Sequence, residues 1–79
     1  MSPTVFRYKG YRFFFFSREE ERMHIHVFSA NGEAKYWIEP EVELANNYGF
    51  SAKEVRIIQK IIEERQDEIA ASWNKHFKG

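Results

Sequence analysis

The polar and apolar positions of this chain change period near its middle. Up to residue 38 they alternate with a period of two in short runs broken by turn residues. Beyond residue 50 they recur at helical spacing. Thr4–Tyr8 and Tyr11–Phe16 are rich in aromatic and β-branched residues and read as strands. Lys9-Gly10 joins them as a two-residue turn, with Gly supplying the permissive backbone. Ser17–Arg22 is a charged loop, and Met23–Ala30 and Glu33–Ile38 are two further strands around Asn31-Gly32, the strongest short hairpin signal. Pro40 cannot continue a central ladder, so the sheet is expected to stop there.

Glu41–Asn46 is read as one short helical turn, with Pro40 at its start and Asn47 and Gly49 suited to its end. Ser51 then opens the main helix as an N-cap, and Glu54 completes a capping box. Val55, Ile58, Ile62, Ile69 and Trp73 form the apolar stripe, widened by Ile57 and Ile61. Glu63 to Glu68 interrupts it with a polar middle, and Lys75, His76 and Lys78 complement the helix dipole near the end. Such a helix has about 25 residues and a length near 38 Å. The expected architecture is therefore α+β: a four-stranded antiparallel sheet of two hairpins, a short helical turn, and one long C-terminal helix on one sheet face. Residues 1–79 form a single domain.

Strand alternation sorts the side chains by face. In the second hairpin, Asn31-Gly32 as the turn sets Ser29 against Ala34, Val27 against Tyr36 and Ile25 against Ile38 on an apolar, helix-covered face. Phe28 then faces Lys35, His26 faces Trp37 and His24 faces Glu39 on the other. In the first hairpin Tyr8 pairs with Tyr11, Arg7 with Arg12, Phe6 with Phe13 and Val5 with Phe14, unless a bulge at Lys9 shifts the register. The open face then carries Arg7, Arg12, Phe14, His24, His26, Phe28, Lys35 and Trp37.

Composition narrows the function classes. Eight Phe, four Tyr and two Trp give a 79-residue chain enough buried area for a core. A domain this small often gains stability from a partner or a second copy, so a homodimer is one expectation. With no Cys, disulfide and thiol chemistry are excluded, and the reading leans cytoplasmic. No run approaches a membrane span and no secretory signal pattern opens the chain. Twelve basic and twelve acidic residues balance, which argues against a dedicated nucleic-acid binder. The basic charge is concentrated early, in Arg7, Lys9, Arg12 and Arg18.

His24 and His26 are the sharpest local feature, because alternate strand residues point the same way. With Glu39 they could approach a divalent ion, but two imidazoles and one carboxylate make an incomplete site, so no metal or cofactor is assigned. Paired imidazoles beside Arg7 or Arg12 would also suit metal-independent RNA cleavage: one base, one acid, and a cation for the phosphate. The plainer reading, which the residues favour, is hydrogen-bonded strand histidines at an interface. Phe13–Phe16 could stack bases, but a doubly buried central strand explains such a run better. Phe14 and Phe16 fall on the open face and need a cover there, and Trp73 would anchor a partner if the helix overhangs the sheet.

The segments Pro3–Phe13, His24-Ile25-His26-Val27, Gly32–Pro40, Asn47–Ser51 and Ser72–Phe77 resemble a bacterial family, domain-of-unknown-function family 4160. The likeness spans nearly the whole chain and is most specific at the His-x-His strand followed by Gly-Glu-Ala-Lys. Met23 stands where the family usually has Pro. The resemblance implies the toxin half of a toxin–antitoxin pair, or at least one obligate partner; a toxin of this kind would be neutralised by direct binding of a small protein antitoxin, and the layout of His24, His26, Arg7 and Arg12 leaves RNA as a candidate target. The alternative is a non-catalytic interaction module, either the neutralising half or a homodimeric adaptor. Expected site residues are His24, His26, Arg7 and Arg12 for catalysis, and Phe14, Phe28, Lys35, Trp37 and Trp73 for partner contact.

Overall fold

A computed structural model describes residues 4–15 and 22–77. Phe16 and most of the Ser17–Arg22 loop, Arg18 included, lie outside the described residues, as does Lys78. The chain forms a five-stranded antiparallel sheet in simple sequential order, followed by two helices. The strands are β1 (Thr4–Tyr8), β2 (Tyr11–Phe14), β3 (His24–Ser29), β4 (Gly32–Trp37) and β5 (Glu43–Tyr48), and the helices are α1 (Ala52–Glu64) and α2 (Gln66–Phe77).

The four-strand expectation is overturned by β5. The helical turn expected over Glu41–Asn46 does not form; Glu43–Tyr48 is an extended segment that returns along β4. Glu, Ala and Asn are poor strand formers, so local preference gave no sign of it. Pairing with β4 and the packing of Leu44 against the core decide its conformation. The Glu39-Pro40 peptide is cis; Pro40 ends β4 but not the sheet.

The single long helix is also corrected. It breaks at Arg65, whose backbone has φ −114° and ψ 20°. No Gly or Pro marks the break. It falls in the polar middle, where no apolar side chain holds the axis to the sheet. α1 buries Ile58, Ile61 and Ile62, and α2 buries Ile69 and Trp73. Arg65 bridges the join: its N–H donates to the Ile61 and Ile62 carbonyls, and its carbonyl accepts from Ile69 N–H at 3.0 Å. Gln66 fixes the turn by donating to the Ile38 carbonyl at 3.2 Å. The Ser51–Glu54 capping box forms as expected.

Registers differ in two places. In the second hairpin Ser29 pairs with Gly32, Val27 with Ala34, Ile25 with Tyr36 and His24 with Trp37. The turn is therefore Ala30-Asn31. The shift is by two residues, so every side chain keeps its face. Gly32 serves close approach and not the turn, since a Cβ there would meet the Tyr48 carbonyl oxygen at 2.5 Å. In the first hairpin Lys9 (φ 52°) and Gly10 (φ 84°) both take left-handed backbone. The Tyr8, Arg7 and Phe6 pairings hold, but a bulge then sets Thr4, not Val5, beside Phe14. The bulge re-aims Val5, which packs against the core.

The core lies between the helices and one sheet face. Phe13, Phe15, Ile25, Val27, Tyr36, Ile38, Ile58, Ile62 and Ile69 are essentially inaccessible. Tyr36 crosses it and donates from its hydroxyl to the Val55 carbonyl at 2.9 Å. Burial pushes the Tyr36 phenol well above the usual tyrosine value. Among the described residues no helix is long and apolar enough to cross a membrane.

Candidate functional site: the open sheet face

The face opposite the helices is assembled by cross-strand rows. One row runs Arg7, Arg12, Phe28, Glu33, Tyr48 from β1 to β5. The next runs Phe14, His26, Lys35, Asn46, and the last runs His24, Trp37, Glu43. The face is thus a mosaic of rings and charges, and α2 reaches it through Trp73, which packs on the His24 ring at 5.1 Å.

Its aromatic residues divide by cover. Phe14 is buried, with the Arg12 guanidinium 4.6 Å from its ring centre and the His26 ring stacked on it at 5.5 Å. A cation and an imidazole thus contribute to the cover that its position demanded. Trp37 is half-buried, with Arg22 at 4.3 Å and Lys35 at 4.5 Å from its ring. Arg22 also donates from Nε to the Glu39 carbonyl and reaches Glu43 at 3.8 Å. Phe28 and Tyr48, by contrast, are 51% and 67% exposed. Cations over rings are worth about 0.5–1 kcal/mol each at exposed sites, enough to hold the charged groups flat on the face.

The histidines sit deeper than their strand alternation suggested. His24 is 0% exposed and His26 8% exposed. His24 is ringed by the edges of Trp37 at 5.8 Å, Trp73 at 5.1 Å and His26 at 5.2 Å. Its Nδ1 lies 2.7 Å from the Arg22 carbonyl oxygen. A carbonyl only accepts, so Nδ1 carries the proton. Trp37, not Glu39, stands opposite His24, so the two-imidazole, one-carboxylate grouping does not form. Among the described residues no group of three His, Asp or Glu side chains converges on one point.

Of the residues singled out from the sequence, Arg7, Arg12, Phe14, His26, Phe28, Lys35 and Trp37 share this face. Arg12 also donates from Nε to the Thr4 hydroxyl at 2.7 Å. Trp73 is 4% exposed and packs on Phe15 and Phe77 as well as His24. It closes the end of the core and does not overhang it. Tyr48, Arg22 and Glu43 were missed. Tyr48 and Glu43 belong to the strand that sequence reading assigned to a turn. Arg22 was placed in a solvated loop, and only the folded chain brings it over Trp37.

A separate polar knot joins the far ends of the hairpins to α1. Glu54 Oε2 accepts from the Tyr11 hydroxyl at 3.2 Å and from Asn31 Nδ2 at 3.0 Å. The Asn31 bond leads in holding the Glu54 carboxyl below the usual value, while burial, then Glu54, pushes the Tyr11 phenol up. The cleft of about 240 Å³ beside it is bordered by Lys9, Tyr11, Asn31 and Glu54, the last three engaged with one another.

Fold and site together define a small α+β domain that presents one sheet face, rich in rings and cations, away from its core. The family model described as Domain of unknown function (DUF4160) matches residues 10–74, and the chain belongs to that family. No curated protein matches the chain, and no solved structure does.

Proposed function

We propose that this chain acts as one half of a two-protein pair, the toxin half, and that a small protein antitoxin neutralises it by covering the open sheet face in the cytoplasm. One observation carries the surface assignment: Phe28 and Tyr48 stand exposed on a face whose other rings are already covered. Exposed aromatic side chains among charges are what interface cores are made of. The toxin role rests on the family resemblance and on nothing in the geometry.

The burial of His24 and His26 favours a second reading within this frame, a non-catalytic interaction module. An imidazole enclosed by Trp37, Trp73 and His26 offers no surface to a phosphodiester. A general base must come within about 3 Å of the proton it takes. The chain would then act by occupying a target and not by cleaving RNA.

The test is growth on inducing the chain alone, with its small protein antitoxin co-produced, and with a Phe28→Asp/Tyr48→Asp variant shown to fold. The toxin reading expects arrest by the chain alone and relief by the partner, with relief lost in the variant. Growth under the chain alone overturns it. Arrest retained in a folded His26→Gln variant supports the non-catalytic reading, and its loss favours acid–base chemistry.

A further inference from the structure

Asn31-Gly32, at the tip of the second hairpin, carries a chemistry of its own. The backbone nitrogen after an asparagine reaches the side-chain Cγ most easily when that next residue is Gly, which has no Cβ in the way. Here the fold fixes the glycine. A Cβ on Gly32 would meet the Tyr48 carbonyl oxygen at 2.5 Å and the Phe50 nitrogen at 3.0 Å. Asn31 itself is exposed and borders the cleft of about 240 Å³, so water has access to its amide. The other asparagines differ. Asn46, Asn47 and Asn74 each precede a residue that carries a Cβ. Asn47 is clamped at both ends of its amide, donating to the Phe50 carbonyl at 3.0 Å and accepting from Phe50 N–H at 3.1 Å. Asn74 lies within α2. Asn31 is held at its Nδ2 end, which donates to Glu54 Oε2 at 3.0 Å.

We infer that Asn31 is a site of spontaneous deamidation, and that the product loosens the polar knot between the hairpin tips and α1. The Gly32 nitrogen bonds to Asn31 Cγ, the bond from Cγ to Nδ2 breaks, and the Gly32 proton leaves with the amide as ammonia. Water then opens the cyclic imide at either of its carbonyls, giving aspartate or isoaspartate. The balance needs water and no oxidant.

Both products oppose the knot. A carboxylate replaces the donor to Glu54, so two like charges face each other where a hydrogen bond stood, and Tyr11 is left as the donor to Oε2. The isoaspartyl form also adds a methylene to the main chain, where the Asn31 carbonyl and Gly32 already abut Gly49. The amide must turn toward Gly32 before it reacts, which breaks its bond to Glu54, so Glu54 slows the reaction. Once the amide is lost, that bond cannot re-form. The change therefore runs one way, and it is independent of the two-protein reading.

The experiment incubates the intact chain at neutral and mildly alkaline pH, then digests it and maps each asparagine by mass spectrometry. Isoaspartate is counted with a methyltransferase that labels it. Asn31 should lose its amide before Asn46, Asn47 and Asn74, and faster as pH rises, because the Gly32 nitrogen attacks in its deprotonated form. Glu54→Ala, shown to fold, should convert faster than the wild type. Asn31→Asp copies one product. At neutral pH it should unfold at a lower denaturant concentration than the wild type, and the gap should close as pH falls through the carboxylate range.

If Asn31 keeps its amide through an incubation that converts it in the urea-unfolded chain, the folded protein closes the site and the inference is overturned. Earlier conversion of Asn46, Asn47 or Asn74 overturns it too. So does an Asn31→Asp variant as stable as the wild type at neutral pH, since the product would then leave the knot intact. Equal rates in the wild type and Glu54→Ala overturn the gating by Glu54.

Discussion

The two faces of one sheet are built from nearly the same residue types and end in opposite conditions. On the covered face Phe13, Phe15, Ile25 and Tyr36 meet α1 and α2 and exclude water completely. On the open face Phe14, Trp37 and Phe28 lie opposite the side that α1 and α2 cover. There the chain covers rings with cations: Arg12 on Phe14, and Arg22 and Lys35 on Trp37. Covering by cations is reversible and leaves the surface charged, whereas covering by helix is part of the fold. An aromatic residue is therefore not evidence of core until its cover is known.

The difference can be broken first at Trp73, which closes the covered side and touches the His24 ring. Trp73→Ala removes a buried indole against Phe15, Phe77 and His24. It should cost about 3–5 kcal/mol, a large part of the stability of so small a domain. Chemical denaturation would measure it. A loss under about 1 kcal/mol would mean that α2 is not a structural lid. A smaller effect is expected at Tyr36→Phe, which keeps the ring in the core and removes only the bond to the Val55 carbonyl. It should cost about 1 kcal/mol.

That contrast also explains what the sequence could and could not disclose. β1 to β4 were legible because turn residues and alternation agree there. The faces survived an error in the β3–β4 register because a two-residue shift preserves them. β5 was illegible because Glu43, Ala45, Asn46 and Asn47 are poor strand formers; pairing with the edge of β4 and the packing of Leu44 make it one. The break at Arg65 was illegible for a related reason, since no helix breaker marks it and the polar middle alone hints at freedom. Most of the candidate face was visible as a period-two set of Arg, His, Phe and Trp. The depth of the histidines was not, because Trp73 closes over His24 from 49 positions along the chain, a separation that only tertiary packing brings to contact.

The polar knot at Glu54 sharpens the comparison through pH. Its carboxyl is held low, chiefly by Asn31, so the native state binds its proton less readily than the unfolded chain. Its contribution is present above the ordinary carboxylate value and is lost as pH falls through the lowered one. Tyr11 and Tyr36 are shifted the other way. Their contribution is present below the ordinary tyrosine value of 10.0 and declines as pH rises past it. Stability should therefore fall at both extremes. Glu54→Gln should flatten the acid limb, weaken the Tyr11 part of the alkaline limb and leave the Tyr36 part in place, which denaturation across pH would show. An unchanged acid limb would mean that the knot does not tie the hairpins to α1.

The smallest expected effect on stability is at the open face, and its smallness is the informative part. Phe28 is half exposed and Tyr48 more so, so Phe28→Ala and Tyr48→Ala should each change stability by no more than about 0.5 kcal/mol. If instead either costs as much as Tyr36→Phe, its ring is held by the fold and cannot be kept for a partner. If both are neutral, these rings stay in water with no benefit to the monomer, and a binding role is what remains to account for them. Thermal denaturation of the two variants beside Tyr36→Phe makes that comparison, and the outcome fixes where a partner-binding study should place its substitutions.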